Sequence, residues 1–317
     1  MGVTRKAHQP AMSGIAVVVP TYNRADLLPA TLDRILAQSL PPAEIIVVDD
    51  GSTDGTAAVL ASDYPDVRPV RIANAGASVA RFEGVRRARA ELIAFCDSDD
   101  LWEPDHLETI DAARRRIPDS EVWFTDFAEF ETDPAVTTFR RFASMPPGWW
   151  RSWVEATDGH LHVMRTDCIL GFLAANPVFP SALAARRERV LEAGWPDVVV
   201  SRLPPEDGDL TRRLVSAAKT VAIERTTVRI RKHGGNVSAN KLAMYAGKAA
   251  VLTRTLAARP ACFEPYVDAI RAARDDAMAT AFRQALWRKA WGAAAEIYTR
   301  GVRSEERRVG KECTLRC

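Results

Sequence analysis

IAVVVPTYNRADLLPATLDRILAQSLPPAEIIVVDDGSTDGT, Ile15–Thr56, reads as strand, helix, strand and the start of a second helix. Ile15–Val19 is an unbroken apolar run, as expected of a parallel strand covered on both faces; apolar–polar alternation belongs to strands with one wet face. Asp26 to Gln38 sets Leu27, Leu28, Leu32, Ile35 and Leu36 on one helical face. Pro41-Pro42 stops that helix. Glu44–Val48 repeats the buried-strand pattern, and Asp54 to Ala61 reads as a short helix.

The alternation continues outward from this stretch. Val67–Ala73 and Leu92–Cys96 read as strands, Ser78–Ala90 as a helix between them, and Pro104 suits the first turn of a helix running to Arg116. Strands alternating with helices predict parallel crossovers and an open α/β sheet. After Glu121 the pattern changes. Val122–Phe130 reads as a strand, followed by an irregular Trp- and Pro-rich stretch through Trp153. Ser181–Ala185 reads as a strand, Arg186–Ala193 and Leu210–Ala218 as helices, and Val221–Ile223 and Thr227–Arg231 as closing strands. Ser238 to Thr299 is nearly all helical, broken near Pro260 and Pro265. The expected organisation is a frayed tail over 1–13, an α/β domain over 14–238, a helical region over 239–302 and an end segment over 303–317.

Composition excludes several classes. The 317 residues, 47% hydrophobic and 26% charged, have the proportions of a soluble globular protein. The net charge of +2 leaves no electrostatic footprint for nucleic acid. Even that charge comes from the end segment, where Arg303–Cys313 (RSEERRVGKEC) resembles the translation of a sequencing-adapter oligonucleotide. The natural sequence is then expected to differ after Val302. No run of about 18 apolar residues is present to span a bilayer. The N-terminal MGVTRKAHQPAMSG lacks an apolar segment behind its positive charges, which argues against a secretory signal. Cys96, Cys168, Cys262, Cys313 and Cys317 are scattered with no CxxC, against a disulfide framework or a zinc site. A cytoplasmic location follows, extending at most to the periphery of the inner membrane.

In open α/β sheets, ligands collect beyond the carboxyl ends of the strands. The acidic residues fall there. The first strand runs into Pro20-Thr21-Tyr22-Asn23, the second into Asp49-Asp50-Gly51-Ser52, and the fourth into Asp97-Ser98-Asp99-Asp100. Like charges ~4 Å apart repel by about 4 kcal/mol at an effective dielectric of ~20. A divalent cation would relieve that repulsion and admit an anionic diphosphate. The hard oxygens of Asp97-Ser98-Asp99 suit Mg²⁺ or Mn²⁺, and alternation points Asp97 and Asp99 to the same side. A lone D-x-D is more often a solvated acidic loop, and Asp-Gly an ordinary turn. The specific signal is their conjunction at the ends of one sheet.

VVVPTYNR (Val17–Arg24), VVDDGSTDGT (Val47–Thr56) and FCDSDDLWEPDHL (Phe95–Leu107) closely resemble family 2 glycosyltransferases of the GT-A fold. The likeness continues through NAGASVARFEG (Asn74–Gly84), NPVFPSALAARR (Asn176–Arg187), EAGWPD (Glu192–Asp197), PEDGDLTRRL (Pro205–Leu214) and RKHGGNVS (Arg231–Ser238), covering roughly residues 14–240. The resemblance implies a Rossmann-like, open mixed sheet flanked by helices; the helical C-terminal appendage lies outside it. It implies an inverting, metal-dependent transfer of a sugar from a nucleoside-diphosphate-sugar donor to a saccharide or lipid-linked acceptor, in polysaccharide or glycoconjugate synthesis. Pro20, Thr21 and Tyr22 would line the base and ribose, and Asp50 would accept from the base imide. Asn74 to Arg81 would close over the nucleotide. Asp99 would be the main metal ligand, Asp97 would hold ribose or metal-bound water, and His233 would complete the metal site. Asp207 would be the catalytic base.

Two positions depart from the family pattern. Gly208-Asp209 follows Glu206-Asp207 where a hydrophobic or aromatic residue is usual, so Asp209 is a second candidate base. Phe82-Glu83 stands where Asn is common. Two other functions remain open at this point: a nucleotide-sugar-binding protein without turnover, and a nucleotidyltransferase, which would usually carry a Gly-rich basic loop after the first strand. Outside these motifs, His160-x-His162 is expected on a surface strand or loop. Trp149, Trp150 and Trp153 are either an acceptor lip or core. Trp287 and Trp291 are expected to pack against the catalytic domain or a partner.

Overall fold

In the computed structural model, which describes residues 12–194, 200–232, 240–258 and 260–297, the first strand outlasts its apolar run. β1 (Met12–Thr21) takes in Pro20 and Thr21, and Val17, Val18 and Val19 are fully buried. α1 (Leu28–Leu36) has Pro29 in its first turn and buries Leu28, Thr31, Leu32 and Ile35. Leu36, read from the sequence as part of that face, is 45% exposed, because one residue past Ile35 turns about 100° away from the stripe. β2 (Glu44–Asp49), α2 (Thr56–Asp63), β3 (Arg68–Arg71), α3 (Ala77–Arg87) and β4 (Ala90–Phe95) follow. These four strands are parallel in the order β3-β2-β1-β4. The chain winds outward from β1 to β3 and returns through α3 to β4, so the strand order reverses between β1 and β4. α3 lies on β1 at close range: a Cβ at Gly84 would sit 2.4 Å from Val18 Cγ1.

Beyond β4 the sheet becomes mixed. β5 (Leu101–Trp102), α4 (His106–Arg116), β6 (Val122–Phe130) and β7 (Phe139–Arg140) come first. α5 (Trp149–Trp153), the hairpin of β8 (Val154–Asp158) and β9 (Leu161–Met164), and α6 (Ile169–Ala174) come next. β10 (Leu183–Arg186), α7 (Arg187–Ala193), α8 (Asp207–Ala217) and β11 (Thr220–Arg231) close the sheet. β10 is antiparallel to both β4 and β6, and β6 is parallel to β11. Among the described residues the sheet has eleven strands, with β9 and β8 beyond β11.

Two sequence expectations change here. The irregular stretch after β6 contains β7 and α5, and β8 follows it directly, each too short to display a period. The two closing strands are one strand, β11, whose register shifts between Ile223 and Thr226 and again between Thr226 and Val228. Those irregularities are bulge-like and expose Glu224 and Arg225, polar residues that read as a break. Two tryptophans of the stretch are tied in by their indoles. Trp149 is buried and its indole donates to Gly171 O at 3.3 Å, while Trp150 donates to Phe142 O at 3.2 Å. Phe142 and Phe172 both meet Phe124 edge-on, at 5.8 and 5.9 Å between centroids.

By its internal contacts the chain divides into two units. The first holds the sheet through Arg202 together with the stretch from Leu210 to the end of β11; the second holds Leu203–Asp209 and the C-terminal helices. In the second, α9 (Lys241–Ala258) and α10 (Val267–Trp287) pack on each other around a 3-10 turn over Ala261–Tyr266. Pro260 and Pro265 account for that interruption. Trp287 and Trp291 are 86% and 65% exposed rather than packed. Among the described residues no helix is long and apolar enough to cross a membrane.

Candidate active site

The loops after β1 and β2 are laced together by backbone amides donating to short polar side chains. Asn23 N donates to Ser52 Oγ (2.9 Å), Thr53 N to Asn23 Oδ1 (2.8 Å), Arg24 N to Thr56 Oγ1 (3.0 Å) and Ala25 N to Asp54 Oδ2 (3.1 Å). These are the Asx- and Ser/Thr-type contacts that compete with regular structure and favour tight turns. The adjacent aspartates divide their work. Asp49 Oδ1 accepts from Ser52 N at 2.8 Å and its Oδ2 from Arg71 Nη1 at 2.9 Å, which fixes the turn. Asp50, 3% exposed, reaches across instead: Oδ1 accepts from Ala75 N at 2.7 Å and Oδ2 from Gly76 N at 2.8 Å. Asn74 Nδ2 donates back to Asp50 O at 3.0 Å. Asp50 thus holds the 74–76 loop against the end of β2. Thr21 is buried beside these loops with no hydrogen-bond partner for its hydroxyl. An unsatisfied buried hydroxyl carries a cost that a bound polar group would remove.

After β4 the acidic loop alternates as expected. Asp97 and Asp99 are half-buried, whereas Ser98 and Asp100 are buried. Asp97 Oδ1 accepts from Arg81 Nη2 at 2.6 Å, and Asp99 Oδ2 lies 3.6 Å from Arg24 Nη2. Asp100 is 2% exposed; its Oδ2 accepts from Ser181 Oγ at 2.5 Å and its Oδ1 from Arg231 N at 3.2 Å. Burial first, then the neighbouring Asp99 and Asp97, pushes the Asp100 carboxyl well above the usual range. Burial likewise raises the Cys96 thiol, again with the aspartates adding to it.

The carboxylates therefore already have partners: Arg71, two backbone amides, Arg81, Arg24 and Ser181. Their mutual repulsion, the reason for a cation offered from the sequence, persists in part, since Asp99 and Asp97 still raise the Asp100 carboxyl. Among the described residues no group of three His, Cys, Asp or Glu side chains could hold a metal by itself. What the loop offers is one or two half-buried carboxylates, Asp99 and Asp97. That donor set fits Mg²⁺ or Mn²⁺ completed by water and phosphate oxygens.

The two candidate bases differ in environment. Asp209 is 1% exposed and its Oδ1 accepts from Thr255 Oγ1 at 2.8 Å; it is an internal anchor of the second unit. Asp207 begins α8 and is half-buried, with a carboxylate favoured at a helix N-terminus.

The fold sets Pro20 and Thr21 at the end of β1, Tyr22 beyond them at 45% exposure, Asp50 and Asn74 on facing loops, and Arg81, Asp97 and Asp99 together. His233 lies outside the described residues. Three participants escaped the sequence reading. Ser181 accepts from Asp97 N at 2.9 Å while donating to Asp100, and Arg231 Nε donates to Asp99 O at 3.2 Å. Both are more than eighty positions from the loop they hold, and nothing local marks them. Arg24 was in view inside PTYNR but not its pairing with Asp99.

His162 lies on β9, where Nε2 is 3.0 Å from Glu224 Oε2, a surface pair with no metal geometry.

A twisted sheet whose strand order reverses between β1 and β4, with acidic loops at that reversal, is the arrangement of the GT-A glycosyltransferases. Solved structures share the fold. S. aureus TarS 1-349 in complex with UDP-GlcNAc superposes with a TM-score of 0.58 at 17% identity, over 77% of this chain and 66% of that one. The mannosyltransferase PcManGT of Pyrobaculum calidifontis, in complex with GDP-Man and Mn²⁺, gives 0.51 at 22% identity, over 91% and 79%. Residues 16–122 match the glycosyl transferase family 2 model, and this stretch is a domain of that family. The succinoglycan biosynthesis protein ExoO of Rhizobium meliloti is 41% identical over 110 residues, 32% of this chain and 31% of its own length. The matched stretch spans about a third of the curated relatives.

Proposed function

We propose that the chain is an inverting glycosyltransferase that moves a sugar from a nucleoside-diphosphate-sugar donor to an acceptor hydroxyl, in the synthesis of a cell-surface polysaccharide or glycoconjugate. The observation that carries this reading is the arrangement at the reversal of strand order. The orphaned Thr21 hydroxyl and the Asp50-braced 74–76 loop lie on one side, and half-exposed Asp97 and Asp99, flanked by Arg24 and Arg81, on the other. Hydrogen-bonding groups and cations near a carboxylate pair suit a ribose and a diphosphate respectively. The fold likeness to TarS and PcManGT, known as complexes with UDP-GlcNAc and with GDP-Man and Mn²⁺, is consistent with it.

Asp207, half-buried at the start of α8, is the base in this reading, whereas Asp209 is 1% exposed. The acceptor oxygen attacks the anomeric carbon as the bond from that carbon to the diphosphate oxygen breaks. The acceptor proton passes to the Asp207 carboxylate, a contribution of about 10²–10⁴-fold for a general base. Attack opposite the leaving group in one displacement inverts the anomeric centre. Asp99, with Asp97, would hold a divalent cation, which when bound offsets charge on the departing diphosphate. Arg24 and Arg81 then face phosphate oxygens as well as carboxylates. The acceptor is a saccharide or lipid-linked hydroxyl compound, and the setting is cytoplasmic, reaching the inner-membrane surface where the acceptor is lipid-linked.

The test is a thermal-shift series of nucleoside diphosphates with Mn²⁺, because a ligand specific to the folded state raises stability by mass action. The matching donor is then assayed for nucleoside diphosphate release. Asp99→Asn is expected to abolish the Mn²⁺-dependent part of the shift. Asp207→Asn should leave the shift intact and lower turnover by at least about 10²-fold. Pyrophosphate as the product would replace this reading with nucleotidyl transfer, and tight binding without any turnover would leave only a binding protein.

A further inference from the structure

At its end α10 turns its small residues inward and its largest outward. Ile270, Ala277, Ala281 and Ala285 form the buried stripe, at helical spacing. Trp287, two positions past Ala285, lies on the far side of the helix, about 160° from that stripe, and Leu286 beside it is exposed as well. The helix then closes on a turn in which Lys289 takes φ +55°. The Lys289 amide donates to Leu286 O and the Ala290 amide to Ala285 O, both at 2.9 Å. A further helical stretch over 291–297 begins there, with Ala294 buried and Trp291 exposed. Buried alanines beside exposed tryptophans reverse what packing for stability alone would select, and an exposed apolar patch of this kind marks an interaction surface.

Charge is segregated along the same helix. Near its start Arg271 pairs with Asp268 and Arg274 with Asp275. Asp276 is the last acidic residue before Glu296, and the charges between them are Arg283, Arg288 and Lys289. All three are exposed. Arg283 Nη2 donates to Thr280 Oγ1 at 2.8 Å and Arg288 Nη1 to Asn240 Oδ1 at 3.3 Å, so both are held by neutral groups. Among the described residues none of the three forms an ion pair. Two tryptophans and a leucine are thus interspersed with three cations that no carboxylate offsets.

The complement of such a surface is apolar and anionic at once. Indoles settle at the headgroup level of a bilayer, with the ring against apolar material and the N–H in water. Each Lys or Arg near an anionic leaflet strengthens binding by about fivefold. A second copy of the chain fits worse, because a two-fold contact sets the patch against itself and cation against cation. We propose that Leu286, Trp287 and Trp291, with Arg283, Arg288 and Lys289, form a docking surface for an anionic lipid bilayer. The contact is interfacial and reversible: the indoles enter the headgroup region and the cations face lipid phosphates. It goes beyond the donor-site reading and is independent of it, since binding is measured without nucleotide or turnover.

The experiment sediments the full chain with vesicles of equal parts phosphatidylglycerol and phosphatidylethanolamine, and with vesicles of phosphatidylcholine alone. In low salt, partition onto the anionic vesicles is expected to exceed that onto the neutral ones by about a hundredfold, and to fall steeply as salt rises. Trp287→Ala with Trp291→Ala should lower it by about tenfold or more, and should remove the blue shift of tryptophan emission on adding vesicles. Arg283→Gln, Arg288→Gln and Lys289→Gln together should bring it to the neutral-vesicle level. All five side chains are exposed, so the unfolding midpoint should hardly move. The basic segment 303–317 is common to every variant and cannot produce a difference between them. A double-tryptophan variant that partitions like its parent, or a parent that binds both vesicles equally, overturns the proposal. So does a vesicle-free dimer that the same two substitutions dissolve while anionic vesicles capture nothing, which would make the patch a contact between copies.

Discussion

Two buried aspartates, Asp50 in the parallel half of the sheet and Asp126 in the mixed half, do similar chemistry for different ends. Asp50 spends both carboxylate oxygens on the amides of Ala75 and Gly76, in a loop at the carboxyl edge of the sheet. Asp126, fully buried, accepts from Phe127 N and Phe142 N through Oδ1 and from Thr226 Oγ1 and Arg140 Nη2 through Oδ2. Its contacts join β6 to β7, to the turn at Phe142 and to the irregular middle of β11. The first carboxylate braces a loop at the proposed donor site. The second replaces sequence periodicity as the organiser of a region whose strands are too short to organise themselves. A polar group can thus serve recognition or architecture with the same bonds, and its neighbours decide which.

Asp126→Ala breaks that comparison most severely. Removing one partner of a buried, hydrogen-bonded charge costs on the order of 3–5 kcal/mol, so urea or thermal unfolding should show a large loss of stability. Any retained fold should keep its nucleotide affinity. Asp50→Ala should invert the pattern, with nucleotide affinity in Mn²⁺ falling about tenfold or more and a smaller stability loss of about 1–2 kcal/mol. Equal effects on binding and stability in both variants would erase the distinction.

Two glycines sharpen it further. A Cβ at Gly84 would meet Val18 Cγ1 on the central strand β1 at 2.4 Å, while one at Gly171 would meet the half-buried Trp153 indole at 2.5 Å. The Val18 side chain is fully buried on a central strand and has no room to turn, whereas the half-buried Trp153 ring has an open side to move toward. Gly84→Ala is expected to cost about 1–3 kcal/mol by overpacking, and Gly171→Ala less than half of that. Equal shifts in unfolding midpoint would show that the mixed half is as rigid as the parallel one.

The smallest effect at neutral pH concerns His106. It is fully buried, stacks 4.2 Å from Trp102 and lies 2.7 Å from Thr227 Oγ1 through Nδ1. Thr227 Oγ1 in turn donates to Thr125 Oγ1 at 2.9 Å, which makes Nδ1 the donor and leaves Nε2 without a partner. Burial lowers its pKa from 6.5 to about 3. A folded-state pKa below the unfolded one means the unfolded chain binds the proton first. The stability tied to neutral His106 is therefore full above pH 6.5 and is lost as pH falls toward 3. His106→Gln should cost about 1 kcal/mol at pH 7, and the gap between variant and parent should narrow steadily on acidification. A gap independent of pH would contradict the burial of a neutral imidazole.

The parallel half was legible because its strands are buried on both faces: Ile15–Val19, Glu44–Val48 and Leu92–Cys96 are runs that hardly any other structure explains. The position of each acidic cluster after a strand was legible for the same local reason, whereas the burial of Ser98 and Asp100, in a turn beyond β4, was not. The division of labour between Asp49 and Asp50 was not, because it depends on Arg71 and on the amides of residues 75 and 76 arriving from elsewhere. In the mixed half, β7, α5 and β8 are shorter than the windows that reveal periodicity, and β11 looked like two strands because its bulge exposes Glu224-Arg225.

By itself, then, the sequence determined the open α/β class, the strand ends that carry acid, and the segment that belongs to a glycosyl transferase family. Tertiary structure alone decided which carboxylates have partners within the chain, that Ser181 and Arg231 brace the Asp97–Asp100 loop, that Asp209 is tied to Thr255, and that Ser201 caps α3 through Val79 N. The reason is physical. Burial and periodicity are written in neighbouring residues, whereas a hydrogen bond between positions a hundred apart has no trace in either until the chain has folded.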